Sequence, residues 1–197
     1  MGLLTGEANR LLSVEEGARI LRRGGVIAYP TEGVYGLGCD PLQWPAVQRI
    51  LEIKQRVADK GFILLASTFS QVEPWVGTLD PERWRRVLET WPGPTTWLMP
   101  TRPETPAWIR GSHETVAVRI TRHPVASALS QTAAMPLVST SANPGGQEPL
   151  RTLEALQEHF ASRLDGIVEG ALGELDGPTE IRDALTGRII RAGGLVR

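Results

Sequence analysis

The chain has 21 basic residues, and only two of them are lysine. Both, Lys54 and Lys60, fall within the short stretch KQRVADK. A lysine presents a compact point charge where an arginine presents a broad fork. A sequence that otherwise uses arginine can keep lysine where a compact ammonium is wanted; with only two lysines, coincidence is the alternative reading. Lys54, Gln55 and Arg56 close an expected helix, with Lys60 just beyond. Clustered cations of this kind suit phosphate or carboxylate groups. The same charges would also be favourable against the negative end of a helix. Upstream lies Pro30-Thr31-Glu32-Gly33-Val34-Tyr35-Gly36-Leu37-Gly38, read as a glycine-rich loop directly after a buried strand. Ligands bind beyond such strand ends in open α/β sheets. Three glycines would let backbone N–H groups approach a ligand, and Thr31 adds a hydroxyl. An ordinary connection is the alternative reading.

Three further segments carry chemistry. In Val116-Ala117-Val118-Arg119-Ile120 the alternation puts Arg119 on the opposite side from Val118 and Ile120. An arginine in so apolar a strand needs an anionic partner, either a substrate or a structural carboxylate. Leu137-Val138-Ser139-Thr140-Ser141-Ala142-Asn143 runs from a buried strand into small polar residues. Their hydroxyls and amide can satisfy phosphate, ribose or amino-acid groups, or serve as turn and cap chemistry. Thr179-Glu180-Ile181-Arg182-Asp183 and Ile189-Ile190-Arg191-Ala192-Gly193 complete the set, with Arg191 before a glycine pair as another anion ligand.

Other chemistries are set aside. No Gly-Lys-Ser/Thr follows the glycines, so they are not a P-loop, and the third glycine of a dinucleotide fingerprint is missing. His113, His123 and His159 are far apart and lack metal spacing with Cys39, so no metal site is read from protein side chains. There is no nucleophile elbow and no carboxylate pair of acid/base type.

These residues need a frame. Ser13-Val14-Glu15-Glu16 has the form of a capping box, and Gly24-Gly25 ends the helix that follows. Strands are expected at residues 26–29, 62–66, 95–99, 116–120, 137–139, 166–168, 180–182 and 189–191. Helices are expected from Pro45 to about Arg56 and over 81–91, 124–133 and 153–163, with a hairpin turn at Leu185-Thr186-Gly187. Strands alternating with helices predict a single-domain α/β fold, and the late hairpin predicts a mixed sheet. At 197 residues, 41% hydrophobic and 22% charged, the chain can bury one core as a globular protein. A single cysteine, no basic-then-apolar leader and no apolar run of membrane length predict a cytoplasmic protein. The net charge of −1 gives no global case for nucleic acid. The distribution is uneven, however: residues 81–122 and 182–197 are arginine-rich and 152–180 acidic, which can make a basic face.

Taken together, YPTEGVYGLGCDP, ILEIKQR, WPGPTT, VAVRITRHP, PLVSTSAN and TEIRDALTG…IIRAGG resemble the YrdC/Sua5 family, its short bacterial TsaC type in particular. The stretches keep the family's order over about residues 26–194. The resemblance implies a YrdC-like (YrdC/RibB) fold, a twisted mixed sheet flanked by helices with a concave basic surface. The domain would span residues 1–197, with no second C-terminal domain of the Sua5 type. It also implies an activity: L-threonine, bicarbonate and ATP give threonylcarbamoyl-adenylate and pyrophosphate. Partner threonylcarbamoyl-transferase proteins then modify the adenosine beside the tRNA anticodon. By family position Thr31, Val118, Arg119 and Thr179 would hold threonine and bicarbonate. Lys54, Arg56, Ser139, Ser141, Asn143 and Arg191 would hold ATP, with Lys54 and Arg56 as the catalytic pair and Mg2+ accompanying the nucleotide. Leu65 stands where many longer relatives have a polar residue, and Val57 where a proline often follows Lys-x-Arg. Two rival readings are an RNA-binding module that uses the basic face on tRNA or ribosomal RNA, and an adenylate enzyme with another acceptor amine.

Overall fold

A computed structural model describes residues 10–196; the N-terminal stretch read for a leader lies outside them. Among the described residues ten strands form one mixed sheet. In chain order they are β1 (Leu11–Leu12), β2 (Ile27–Pro30), β3 (Tyr35–Cys39), β4 (Ile63–Ala66), β5 (Thr95–Pro100), β6 (Thr115–Ile120), β7 (Leu137–Ser141), β8 (Ile167–Val168), β9 (Glu180–Asp183) and β10 (Ile189–Arg191). Across the sheet the order is β1-β8-β2-β3-β7-β4-β6-β5-β9-β10. Six helices cover it: α1 (Val14–Arg22), α2 (Trp44–Lys54), α3 (Pro81–Leu88), α4 (Ala107–Arg110), α5 (Pro124–Ala133) and α6 (Leu153–Phe160). No helix of these is long and apolar enough to cross a membrane.

The local rules hold at the element ends. Ser13 accepts from the Glu16 N–H while the Glu16 carboxylate accepts from the Ser13 N–H, the capping box expected for α1. Pro45 sits in the first turn of α2. β9 and β10 pair antiparallel around the 185–187 turn. One expectation is corrected. Gly36 and Gly38 do not lie in a loop; they belong to β3, which pairs with β2. The cause is Tyr29, whose ring lies across both positions: a Cβ on Gly38 would sit 2.7 Å from a Tyr29 ring carbon. The short elements β1 and α4 were not expected, α3 stops at Leu88 rather than Trp91, and β7 continues to Ser141.

Strand alternation builds two unequal cores. Val26, Ala28, Leu64, Val116, Val118 and Val138 point to one face, where they pack with α2, α4 and α6. Ile27, Tyr29, Leu65 and Leu137 point to the other, where α1 and α5 cover them with Ala18, Leu21, Ala126 and Leu129. That second layer is short. Beyond Leu65 and Leu137 the same face of the sheet is left without a helix, and there it floors a cavity.

Candidate active site

The cavity has a volume of about 850 Å³. Its floor comes from alternate residues of the uncovered strands: Thr115, Ala117 and Arg119 of β6, Ser139 and Ser141 of β7, and Ile63 of β4. Of the residues singled out in the sequence, Thr31, Lys54, Arg56, Ser139, Ser141, Asn143, Arg119, Thr179 and Arg191 all line it. Val118 does not. The alternation that turns Arg119 toward the cavity turns Val118 into the larger core, where it is fully buried.

The helix end at Lys54-Gln55-Arg56 is built by backbone geometry. Gln55 adopts the left-handed conformation, the Arg56 N–H donates to Leu51 O at 3.0 Å, and the Gln55 N–H donates to Glu52 O at 3.2 Å. This Schellman closure reverses the chain so that Lys54 and Arg56 both face the cavity. Lys54 is only 5% exposed. Its ammonium donates to Ser141 O at 2.5 Å, Asn143 Oδ1 at 2.7 Å and Asn143 O at 3.1 Å. Ser141 Oγ also donates to Asn143 Oδ1, at 2.7 Å. The lysine therefore ties the last residue of β7 and Asn143 just beyond it into one unit, with neutral oxygens as its partners. Burial, then the nearby Arg56, pushes its pKa from 10.5 down to about 8. Arg56 lies over the Phe62 ring, 5.2 Å from its centroid, and donates to Gly61 O; burial lowers its pKa also.

The opposite wall is made by Arg119, Thr179 and Arg191. Arg119, 4% exposed, donates from Nη1 to Thr179 Oγ1 at 2.7 Å, and its Nη2 lies 3.4 Å from Glu32 Oε2. Arg191 donates to Thr179 O at 2.7 Å. Burial and the neighbouring Arg119 lower its pKa. Thr31 donates its hydroxyl to Val34 O at 2.7 Å, closing the turn between β2 and β3. Ser139 accepts from Tyr29 Oη at 2.9 Å, which leaves its own proton free for the cavity. Leu65 pairs with Arg119 across β4 and β6 and offers the site no polar atom. Val57 is exposed.

Sequence reasoning missed Glu32, although it asked for a carboxylate beside Arg119. The signal was present, because Glu32 adjoins Thr31. Lys60, Arg110 and His113 also line the cavity. The lining thus holds six lysines and arginines and no aspartate or glutamate. In each of two like-charged pairs one member feels the other: after burial itself, Arg56 lowers the proton affinity of Lys54, and Arg119 lowers that of Arg191. Desolvated like charges cost free energy unless an anion joins them. The arrangement is therefore preorganised for a ligand with several negative groups.

The fold and sequence are shared with known proteins. The family model described as Telomere recombination (Sua5, YciO and YrdC) matches residues 19–193. The chain belongs to this family. A Coxiella burnetii protein named Threonylcarbamoyl-AMP synthase is 51% identical over 179 residues, 91% of this chain and 96% of that one. A Nitrosococcus oceani protein of the same name is 50% identical over 174 residues, 88% and 94% of the two chains. Among solved structures, E. coli YciO superposes with a TM-score of 0.80 at 28% identity, covering 93% of this chain and 91% of that one. P. abyssi Sua5, solved in complex with L-threonine, superposes with a TM-score of 0.85 at 32% identity over 92% of this chain. The chain spans about half of that protein, 54% of its length.

Proposed function

We propose that this chain is a threonylcarbamoyl-AMP synthase, which joins L-threonine, bicarbonate and ATP into threonylcarbamoyl-adenylate with release of pyrophosphate. The observation that carries the reading is the pair of like-charged clusters facing one cavity that no carboxylate lines. The relatives of half-identical sequence bear that name.

The chemistry fits such a site. Threonine's amine adds to bicarbonate carbon with loss of water and gives a carbamate. A carbamate oxygen then attacks the α-phosphorus, the bond to the β-phosphate oxygen breaks, and pyrophosphate departs. The nucleophile is already an anion, so the phosphoryl step needs no strong base. Its barrier is the approach of two anions, which fixed cations and in-line positioning lower. Lys54 and Arg56 would clamp the phosphates as the catalytic pair, with Ser139, Ser141, Asn143 and Arg191 as further ATP contacts. Arg119 would hold the threonine carboxylate, with Thr31 and Thr179 beside it. Mg2+ would arrive on ATP. The lining offers it hydroxyl and carbonyl oxygens rather than a carboxylate cage, which suits a metal carried by phosphates. The product would pass to transferase proteins that act on tRNA, with tRNA itself a candidate partner of the basic lining and the cytoplasm as the setting.

Pyrophosphate release measured with and without threonine tests this reading. Release that requires threonine, bicarbonate and ATP together is expected. Release supported equally by other amino acids would point to a different acceptor amine. A folded protein that binds tRNA and releases no pyrophosphate would be the RNA-binding module instead.

A further inference from the structure

Behind the cavity wall lies a polar cluster that the reaction does not itself require. Glu32 is 8% exposed and absent from the lining. Its Oε1 accepts from Thr121 Oγ1 at 2.5 Å, and Thr121 Oγ1 in turn accepts from the His123 N–H at 3.1 Å, at the first turn of α5. Its backbone is clamped as well. Glu32 O accepts from the Leu175 N–H at 3.0 Å, and Thr31 O accepts from the Gly173 N–H at 2.9 Å. Residues 173–179 thus form a strap across the β2–β3 turn. Gly173 passes so close that a Cβ there would lie 2.6 Å from Glu32 O. The same strap carries Thr179, which accepts from Arg119. Arg119 is consequently gripped from two sides by pieces of chain that are bonded to each other.

The grip is incomplete in a specific way. Glu32 meets Arg119 through one nitrogen at 3.4 Å, not through a two-pronged fork. Glu32 Oε2 and Arg119 Nε are buried without a hydrogen-bond partner. A bidentate pair would engage a second N–H of the guanidinium and leave one donor fewer for a ligand. Of the five N–H groups of Arg119, one goes to Thr179 and one faces Glu32.

We propose that Glu32 is a positioning residue for Arg119. Together with Thr121 it fixes the guanidinium from behind, with donors to spare, so that its free edge presents two N–H groups to the carboxylate of the amino-acid substrate. This rests on the synthase reading above. Its consequence is selective: Glu32 governs the amino-acid half of the cavity and leaves the Lys54–Arg56 half alone.

The test is Glu32→Gln, which keeps the shape and the acceptor for Thr121 and removes the charge. KM for threonine should rise about tenfold to a hundredfold, the size of one charged hydrogen bond, while KM for ATP stays within about twofold. A merely structural role would lower the melting temperature and weaken both substrates alike. Nitrogen-15 spectra supply a readout that needs no turnover. The Arg119 Nε–H signal, assigned with Arg119→Lys, should be sharp and slow to exchange in the native protein and broadened in Glu32→Gln. If that variant does not fold, Thr121→Val removes the brace at nearly constant volume and should move both readouts the same way. Unchanged threonine KM together with an unchanged Arg119 signal overturns the proposal. Native protein that lacks threonine-dependent pyrophosphate release refutes the synthase reading instead, and the Arg119 signal still decides whether Glu32 positions it.

Discussion

Lys54→Met separates binding chemistry from folding. The native ammonium is buried, and its pKa falls from 10.5 to about 8. That fall corresponds to a penalty of about 3 kcal/mol on the charged form. Removing the charge relieves the penalty. It also forfeits the hydrogen bonds to Ser141 and Asn143, roughly 1.5–3 kcal/mol for one charged donor group. The two effects nearly cancel, so the melting temperature should stay within a few degrees of the native value. Catalysis has no such compensation. A cation lost beside the transferring phosphoryl group removes roughly 4 kcal/mol of transition-state stabilisation, about a thousandfold in rate. Thermal melting and threonine-dependent pyrophosphate release, measured on one preparation, give both numbers. Near-native turnover would refute the phosphate-clamp assignment. A loss of activity that merely tracks a melting point lowered by more than about 10 °C would refute the separation.

Further outcomes follow from the same geometry. In the free enzyme, kcat/KM for ATP should decline above about pH 8 as Lys54 loses its proton. Between about pH 8 and 10.5 the unfolded chain binds more protons at this group than the folded one, so stability gains a rising component there that Lys54→Met should abolish. Gly33→Ala would place a Cβ 2.0 Å from Gly177 O, forcing the strap outward. It should cost roughly 1–3 kcal/mol and weaken threonine, whereas Gly146→Ala, with nothing within 4 Å but a φ of +77°, should cost about 1 kcal/mol of backbone strain and leave threonine binding alone. Gln55→Gly should stabilise the chain by up to about 1 kcal/mol in urea unfolding, since Gln55 now holds a left-handed backbone at φ 49°.

Much of this was readable from residue order, and the failures have physical causes. The capping box at Ser13 and the bounds of α5 are local signals, set by side chains within one turn. Arg119 was legible because an arginine between valine and isoleucine breaks a pattern. Gly36 and Gly38 were misread because glycine normally weakens a strand. Here they are strand residues that make room for Tyr29, a contact across the β2–β3 pair that no local rule contains. The same limit hid Glu32. Its meaning depends on Thr121 and Arg119, about ninety residues away in the chain and brought together only by sheet order. In the sequence the strap is part of an acidic stretch, although its working part is backbone. Val118 was carried over by family position, and β6 alternation sends its side chain to the core.

On the synthase reading, one cavity joins an amino acid, a one-carbon anion and a nucleotide. Carbon-13 bicarbonate, followed by mass spectrometry of the products formed with ATP and threonine, tests it most directly. The expected product is a labelled species with the mass of threonine, one carbonyl carbon and AMP, formed in step with pyrophosphate. Pyrophosphate and AMP without any labelled threonine adduct, from folded protein quenched before the adduct can hydrolyse, would contradict it.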